Sequence, residues 1–304
     1  MRPLTWPQAA DLVSGTRLML VLMFGLLLAT AIVARPRKGS TPGMLRAQVT
    51  SWWFLLPPVF AAWALYPIGV PALVLLISVL AARELNGLSG RRPDGGLGLR
   101  FASLIALQAA LGVLGMSAWN VLTMLVLAAV NAGLWRASQG THRQALLQAL
   151  FAVQAAGLWC LVAMAPASMP QSLSATWFLY LCVVTALNDI GQFLTGTRFG
   201  RHKLAKRISP NKTWQGAAGG VVFSVLFSLM VGRALGLASP PWLFCMGIVL
   251  SIAGLLGDLL FSAAKRVLGI KDYSRLIPGH GGILDRVDSL VLTAPVMLVA
   301  LRWA

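Results

Sequence analysis

Acidic residues are scarce in this chain. Only 8 of its 304 residues are Asp or Glu, against 25 Lys and Arg, and charged residues of both signs make up 11%. Hydrophobic residues make up 58%. Disordered segments are rich in charge and poor in apolar residues, so this composition excludes a disordered protein and argues strongly against a soluble globular domain.

Cysteines are few, and the short motifs of several enzyme classes are missing. Cys160, Cys182 and Cys245 each lie in an apolar run without metal-ligand spacing, so we expect neither a disulfide framework nor a zinc cluster. The chain has no Walker-type Gly-x₄-Gly-Lys-Ser/Thr loop and no Gly-x-Ser-x-Gly elbow.

Long apolar runs occupy most of the chain instead. A membrane-spanning helix needs about 20 such residues. The predicted spans are 15–34, 50–66, 68–83, 101–116, 118–135, 149–167, 174–195, 215–232, 241–261 and 288–303. The second and third are interrupted by prolines and could form one re-entrant element. The expected fold class is therefore all-α, a polytopic transmembrane helical bundle of about nine or ten spans.

The positive charge is concentrated in loops on one side of this arrangement. The basic loops are 35–46, 83–100, 136–143, 198–212 and 262–287. Short cytoplasmic loops carry the excess of Lys and Arg in membrane proteins. We therefore expect a multi-pass integral membrane protein, in a bacterial inner membrane, whose basic loops face the cytoplasm and meet anionic membrane lipids rather than nucleic acid.

An acidic residue, Asp189, lies inside an apolar run near its expected cytoplasmic end. Ionisable residues at membrane depth are costly and usually functional. The alternative is a structural carboxylate that caps a helix or pairs with Arg198 or Lys203.

A second polar segment, 208–216, contains Ser-Pro-Asn-Lys-Thr. Ser209 and Thr213 are both plausible N-caps for the next helix, and Pro210 suits its first turn. A helix N-terminus next to Lys212 also favours an anion such as phosphate. The alternative is a basic cluster that only sets the topology.

The third segment, 258–288, contains four aspartates between two apolar runs. Asp285 and Asp288 share a face if the last helix starts there, and Asp258 ends the preceding span. Carboxylates from two helices together with phosphates suit Mg²⁺. The alternative is that Asp285 only caps the last helix. His280 has no second His or Cys nearby, which makes zinc unexpected and a hydrogen bond to phosphate or carboxylate more natural.

Paired aspartates, two basic loops and an anion-binding helix start are the parts needed for metal-assisted phosphoryl or nucleotidyl transfer. At these residues the chain resembles the phosphatidate cytidylyltransferase family (CDP-diacylglycerol synthases). The resemblance covers roughly residues 185–290 and includes Asp-x-Gly-x-aromatic at 189–193, Ser-Pro-x-Lys-Thr-Trp-x-Gly at 209–216, and Gly-Asp at 257–258. It continues from Ser262 to Asp288, and the stretch that begins at Glu84 resembles the family's early glutamate segment.

The resemblance implies a reaction of CTP with phosphatidic acid or a related lipid phosphate that yields CDP-diacylglycerol and pyrophosphate with Mg²⁺. It assigns the metal to Asp258 and Asp285. It implies a catalytic set of Asp258, Asp285, Asp189, Lys265, Arg266 and His280. The implied substrate-binding set is Ser209, Lys212, Thr213, Lys271, Asp272, Gly281, Gly282, Arg286 and Asp288. A second, monovalent ion and a homodimer are left open. Residues 1–170 would form N-terminal transmembrane helices, and 171–304 the catalytic transmembrane region.

Two positions depart from the family's usual motif. Gln192 stands where a small residue is usual, and Phe261 stands where an acid usually follows the Gly-Asp aspartate by three residues. These departures suggest a divergent paralogue with a different acceptor lipid or ion site. The rival functions are a CTP-dependent polyprenol-type lipid kinase and a non-catalytic membrane protein or anion transporter.

Overall fold

The computed structural model describes residues 56–89, 95–113, 142–164, 171–274, 276 and 281–302, together with four isolated positions before residue 30. These residues form helices and one small hairpin, and residues 56–64 are also helical. The elements are α1 (Gly69–Gly87), α2 (Gly95–Val113), α3 (His142–Ala163), α4 (Gln171–Phe199), β1 (Lys203–Ala205), β2 (Ser209–Thr213), α5 (Trp214–Ala234), α6 (Pro240–Leu268) and α7 (Leu284–Ala300).

Within the described residues, 5 helices are long and apolar enough to cross a membrane. They are α1, α3, α4, α5 and α6, and the all-α membrane fold is therefore confirmed. The predicted span at 68–83, the third, is a regular helix, α1. The predicted span at 118–135 lies outside the described residues, and the span at 15–34 is described at only four positions. The total of nine or ten spans stays a prediction.

Helix α4 lies at the centre of the C-terminal half. It packs mainly against α5, which packs against α6, and α6 packs against α7. Helix α7 also contacts α3, which in turn packs against α1. The two predicted regions therefore share a packed surface, and the division at residue 170 stays a prediction. The core includes large side chains that are almost fully buried, such as Trp159, Trp177 and Tyr180.

One face of α5 consists of small residues. Gly216, Gly220, Ser224, Ser228 and Gly232 recur every fourth position and are all buried. In a lipid bilayer the hydrophobic effect does not drive helices together. Small side chains instead let helix backbones approach closely and pack against each other. The opposite face carries exposed apolar side chains that suit contact with lipid: Val222, Leu226 and Met230.

The segment before α5 differs from its prediction. Ser209 and Pro210 begin strand β2, which pairs antiparallel with β1, so their predicted place at the helix start is wrong. Proline is tolerated there because a two-stranded sheet has only edge strands, on which a missing N–H is harmless. Thr213 is the confirmed N-cap: its Oγ1 accepts a hydrogen bond from the Gly216 N–H at 3.0 Å.

Helix α6 is longer than predicted. It continues to Leu268 and places Asp258 inside the helix instead of at its end. Gly269, with φ +70°, ends the helix in the left-handed conformation that glycine adopts without strain. Lys265 and Arg266 lie in its last turn, where positive charge complements the negative end of the helix dipole.

Candidate functional site

An ion pair between the hairpin and α6 forms the centre of the site. The Lys212 Nζ lies 2.6 Å from the Asp258 Oδ2, and the two side chains are 17% and 27% exposed. The other carboxylate oxygen of Asp258 accepts a hydrogen bond from the Ser262 Oγ at 3.1 Å. The pair is thus held in place yet remains partly open to a ligand.

Two more aspartates converge on this pair from α4 and α7. Asp288 is buried and Asp189 is half-buried, and both carboxyls are within electrostatic range of Asp258. Asp189 accepts hydrogen bonds at 3.4 Å from the Ser289 Oγ and from the neighbouring Asn188 amide. Gly257 lets α6 and α7 meet, because a Cβ there would collide with the Asp288 carbonyl. The negative charges of these three carboxyls repel one another, and a cation bound beside them would reduce that repulsion.

Asp285 occupies a different environment, in which hydrogen-bond donors from the protein itself surround its carboxylate. Its Oδ1 lies 2.6 Å from the Lys265 Nζ, and the pair is nearly buried, with exposures of 12% for Lys265 and 4% for Asp285. Its Oδ2 accepts the backbone N–H groups of Tyr273 at 3.1 Å and Gly282 at 2.9 Å. Asp285 lies in the first turn of α7, whose N-cap is Ile283. The alternative that Asp285 only caps this helix therefore does not hold.

The loop between α6 and α7 is further held by a tyrosine. Burial, followed by the negative charge of Asp285, raises the pKa of Tyr273 above its ordinary value. Its phenol therefore stays protonated and donates to the Phe261 carbonyl at 3.0 Å. Gly281, with φ +78°, lies so close to Asp285 that a Cβ would stand 2.7 Å from the carboxylate.

Glu84 also helps to hold the site together, although it is not among the catalytic and substrate-binding residues that the resemblance implies. Its buried carboxylate, on α1, accepts hydrogen bonds from the Ser274 Oγ at 2.6 Å and from the backbone N–H groups of Ile283 at 2.7 Å and Leu284 at 3.2 Å. In the sequence, Glu84 is an acid at the end of an apolar run, followed by Leu-Asn-Gly, and this feature could have indicated a functional role. Its partners lie too far along the chain to be read from spacing.

The remaining candidate residues that the structure describes lie around this centre, and most of them are exposed or half-buried. Arg266 is exposed and donates to the carbonyls of Ile208 at 3.0 Å and Ile270 at 3.4 Å, which ties the hairpin to α6. Lys271 and Asp272 are exposed, and Ser209 lies half-buried in β2. Arg286 is close enough to act on both Asp189 and Asp288, and its buried Nε has no partner among the described residues. His280 lies outside the described residues.

The carboxylates of the site are oxygen ligands of the kind that Mg²⁺ takes. Within the described part of the chain, no three His, Cys, Asp or Glu side chains form a group that could hold a metal alone. Mg²⁺ usually takes only one or two carboxylates and completes its shell with water and substrate phosphates. The partly exposed Asp258, with Asp189 and Asp288 nearby, fits that pattern. Asp285 fits it less directly, because three protein donors already occupy its oxygens.

Comparison with known sequences agrees with this arrangement. A sequence model described as the cytidylyltransferase family matches residues 46–304. The chain belongs to this family. The matched region extends beyond the motifs at 185–290 and includes Glu84. This supports the resemblance between the segment that begins at Glu84 and the family's early glutamate segment.

Individual relatives match over shorter lengths. The uncharacterized protein YnbB of Escherichia coli is 42% identical over 125 residues, which is 41% of this chain and 42% of that protein. A phosphatidate cytidylyltransferase of Staphylococcus epidermidis is 41% identical over 132 residues, 43% of this chain and 51% of the relative. One from Brucella suis is 42% identical over 122 residues, 40% of this chain and 45% of the relative. The matches thus span about half the length of these curated relatives.

The two departures from the family motif occupy very different places. Phe261 is fully buried and packs edge-on against Tyr273, with ring centroids 6.2 Å apart. It belongs to the core under the loop. Gln192, by contrast, lies at the ion pair: its Oε1 accepts a hydrogen bond from the Lys212 Nζ at 3.1 Å.

Proposed function

We propose that this member of the cytidylyltransferase family transfers the cytidylyl group of CTP to phosphatidic acid or a similar lipid phosphate, giving CDP-diacylglycerol and pyrophosphate. The observation that carries the proposal is the Lys212–Asp258 pair, with Asp189 and Asp288 beside it, where apolar helices meet a basic hairpin. A site there is within reach of a lipid headgroup and of a soluble nucleotide. The names of the Staphylococcus and Brucella relatives support the same reaction.

The reaction needs no nucleophile from the protein. An oxygen of the lipid phosphate attacks the α-phosphorus of CTP, a new P–O bond forms, and the bond to the pyrophosphate leaving group breaks. The protein's contribution is to position the two substrates and to stabilise negative charge. Lys212 is suited to bind a phosphate because it is partly exposed beside Asp258. We assign Lys265, Arg266, Lys271, His280 and Arg286 to the phosphates of CTP or of the lipid.

A Mg²⁺ ion would be held by Asp258, with Asp285 as the second predicted ligand, and would neutralise charge on the phosphates. Asp189 and Asp288 supply further negative charge next to that position. Ser209, Thr213, Asp272, Gly281 and Gly282 are assigned to substrate binding. Gly281 and Gly282 suit the backbone to a close approach, and Thr213 fixes the start of α5. A second, monovalent ion and a homodimer remain further proposals.

The reaction would take place on the cytoplasmic side of a bacterial inner membrane. The hairpin supports this orientation because Arg201, Lys203, Lys206 and Arg207 surround it without an acidic residue. Short loops of this kind face the cytoplasm. CTP is a cytosolic nucleotide, so substrate access and the charge of the loops favour the same side.

The position of a radioactive label distinguishes the reaction from its rivals. Purified protein with Mg²⁺ and phosphatidic acid is expected to move label from the α-phosphate of CTP into lipid and to release pyrophosphate. Transfer of γ-phosphate label would instead demonstrate a lipid kinase. An absence of CTP-dependent pyrophosphate release across a panel of lipid phosphates would leave the non-catalytic membrane protein or anion transporter.

A further inference from the structure

Gln192 lies next to the charged centre of the site. It is one turn of α4 beyond Asp189, and its Oε1 accepts from the Lys212 Nζ at 3.1 Å. The same ammonium lies 2.6 Å from the Asp258 carboxylate. Two acceptors, one charged and one neutral, therefore hold the Lys212 ammonium from two elements of the fold.

The other end of the Gln192 amide has a buried donor without a partner. The Nε2 atom is inaccessible to solvent and makes no hydrogen bond to the described residues. The two ends of the amide cannot be exchanged, because an ammonium group only donates and must face the oxygen. A buried donor without an acceptor is costly, so an acceptor is expected there when the site is filled.

The packing around Gln192 retains this orientation. A Cβ added to Gly220 of α5 would stand 2.5 Å from the Gln192 Cγ and 2.7 Å from the Asn188 Oδ1. The Gln192 side chain therefore lies directly over Gly220, in space that a side chain at position 220 would occupy. Helix α5 thereby seats the amide against the ion pair and limits its freedom to turn toward another partner.

We propose that the Gln192 Nε2 donates a hydrogen bond to a phosphoryl oxygen of the substrate that Lys212 binds. Gln192 then acts as a specificity-determining residue: one end of its amide positions the ammonium, and the other end contacts the same phosphate. The inference rests on the proposed function. The phosphoryl oxygen belongs either to the lipid phosphate or to CTP, and the experiment distinguishes these two sources.

Three full-length variants in detergent test the contact. Gln192→Glu keeps an acceptor for Lys212 but replaces the donor with a negatively charged oxygen. Gln192→Ala removes both ends of the amide. Gln154→Ala is the matched control, because Gln154 of α3 is a fully buried glutamine whose amide has no partner among the described residues and which lies outside the proposed site.

The expected result is a rise in KM for one substrate with little change in kcat. Gln192→Glu should raise that KM about tenfold or more, and Gln192→Ala by a smaller factor, since a hydrogen bond to a charged group is lost in both and repulsion is added in the first. The substrate whose KM rises, lipid phosphate or CTP, identifies the source of the phosphate. Gln154→Ala should leave both KM values unchanged. Unchanged KM values in both Gln192 variants would overturn the proposal.

A binding measurement separates this proposal from the reaction itself. The melting temperature of each variant is recorded with and without CTP, inorganic pyrophosphate and short-chain phosphatidic acid. If the wild-type protein lacks turnover but one of these ligands stabilises it, the proposed function fails, whereas a smaller stabilisation of Gln192→Glu still supports the phosphate contact. Equal stabilisation of the two proteins, or none of the wild type, overturns it.

Discussion

The carboxylate of Glu84 binds the start of the last helix, 199 residues further along the chain, by accepting the Ile283 N–H at 2.7 Å. It also accepts the Leu284 N–H at 3.2 Å. The first N–H groups of a helix have no partner within the helix, and a negative charge there complements the helix dipole. Glu84 thereby joins α1 to the loop that carries Asp285.

Glu84→Gln is expected to lower stability and turnover together. The new NH₂ group must face either the Ile283 or the Leu284 backbone N–H, which leaves a buried donor unpaired. The loss should be about 1–3 kcal/mol of unfolding free energy. Thermal melting in detergent and the α-label assay would measure the two effects.

Arg83→Ala provides the control for Glu84→Gln. Arg83 is the neighbouring residue on α1 and is exposed, so its truncation should change stability by no more than about 0.5 kcal/mol. A Glu84→Gln protein with wild-type melting temperature and wild-type turnover would contradict the role of Glu84 in holding the loop.

The helices could be predicted from the sequence, whereas the contacts that assemble the site could not. Apolar runs alone located α1 and α3 to α7, because a bilayer imposes helix on any long apolar segment. The polar ends of the helices were missed: α3 begins seven residues before its predicted start, and α6 ends seven residues after its predicted end. The hairpin was missed since Ser209 and Pro210 are also typical of a helix start. The same ambiguity does not affect Thr213, which caps α5 as predicted.

The aspartates illustrate the same limit at the level of chemistry. Spacing predicted that Asp285 and Asp288 share a face if the last helix starts there, and α7 does begin at Leu284, with both side chains buried. It gave no means to distinguish Asp285, which three protein donors surround, from Asp258, which stays partly exposed. That difference depends on Lys265 and on a folded loop, which only the tertiary structure brings to Asp285.

Asp285→Asn and Asp258→Asn are therefore expected to fail in different ways. Asp285→Asn leaves the nearly buried Lys265 ammonium without its counter-charge and should cost about 3 kcal/mol or more of stability, along with nearly all turnover. Asp258→Asn should abolish turnover but cost less stability, because its pair with Lys212 is more exposed. Melting curves of the two variants, compared with the α-label assay, would measure this. Equal loss of stability in both would contradict the distinction.

Removal of Mg²⁺ should abolish turnover reversibly. EDTA is expected to stop pyrophosphate release, and added Mg²⁺ to restore it, because the clustered carboxyls and the substrate phosphates need a cation between them. Asp288→Asn should raise the free Mg²⁺ concentration for half-maximal rate about tenfold or more, since it removes one charge beside Asp258. Arg233→Ala, at the far end of α5, should leave this concentration unchanged. A full rate in excess EDTA would contradict the prediction.

Restoring an acid at position 261 is expected to damage the protein instead of improving it. Phe261 is fully buried against Tyr273, so Phe261→Glu would place an unpaired charge in the core. Phe261→Leu keeps the site apolar and should cost under about 1.5 kcal/mol. Melting temperature and the yield of monodisperse protein would measure both variants. A stable Phe261→Glu protein with an altered metal requirement would show that this position faces the site.

The small-residue face of α5 allows a last test with two nearly identical substitutions. The Ser228 Oγ accepts from the Tyr180 hydroxyl and donates to the Leu243 carbonyl, each at 2.6 Å, so Ser228→Ala leaves the buried Tyr180 hydroxyl unpaired and removes a second donor from the Leu243 carbonyl. Ser224, one turn earlier, is equally buried, but its hydroxyl has no partner among the described residues. Ser228→Ala should therefore cost about 1–3 kcal/mol, whereas Ser224→Ala should cost nothing or stabilise the protein. Thermal melting of the two variants in the same detergent would measure the difference, and a lower melting temperature for Ser224→Ala than for Ser228→Ala would contradict this account of how α4, α5 and α6 are joined.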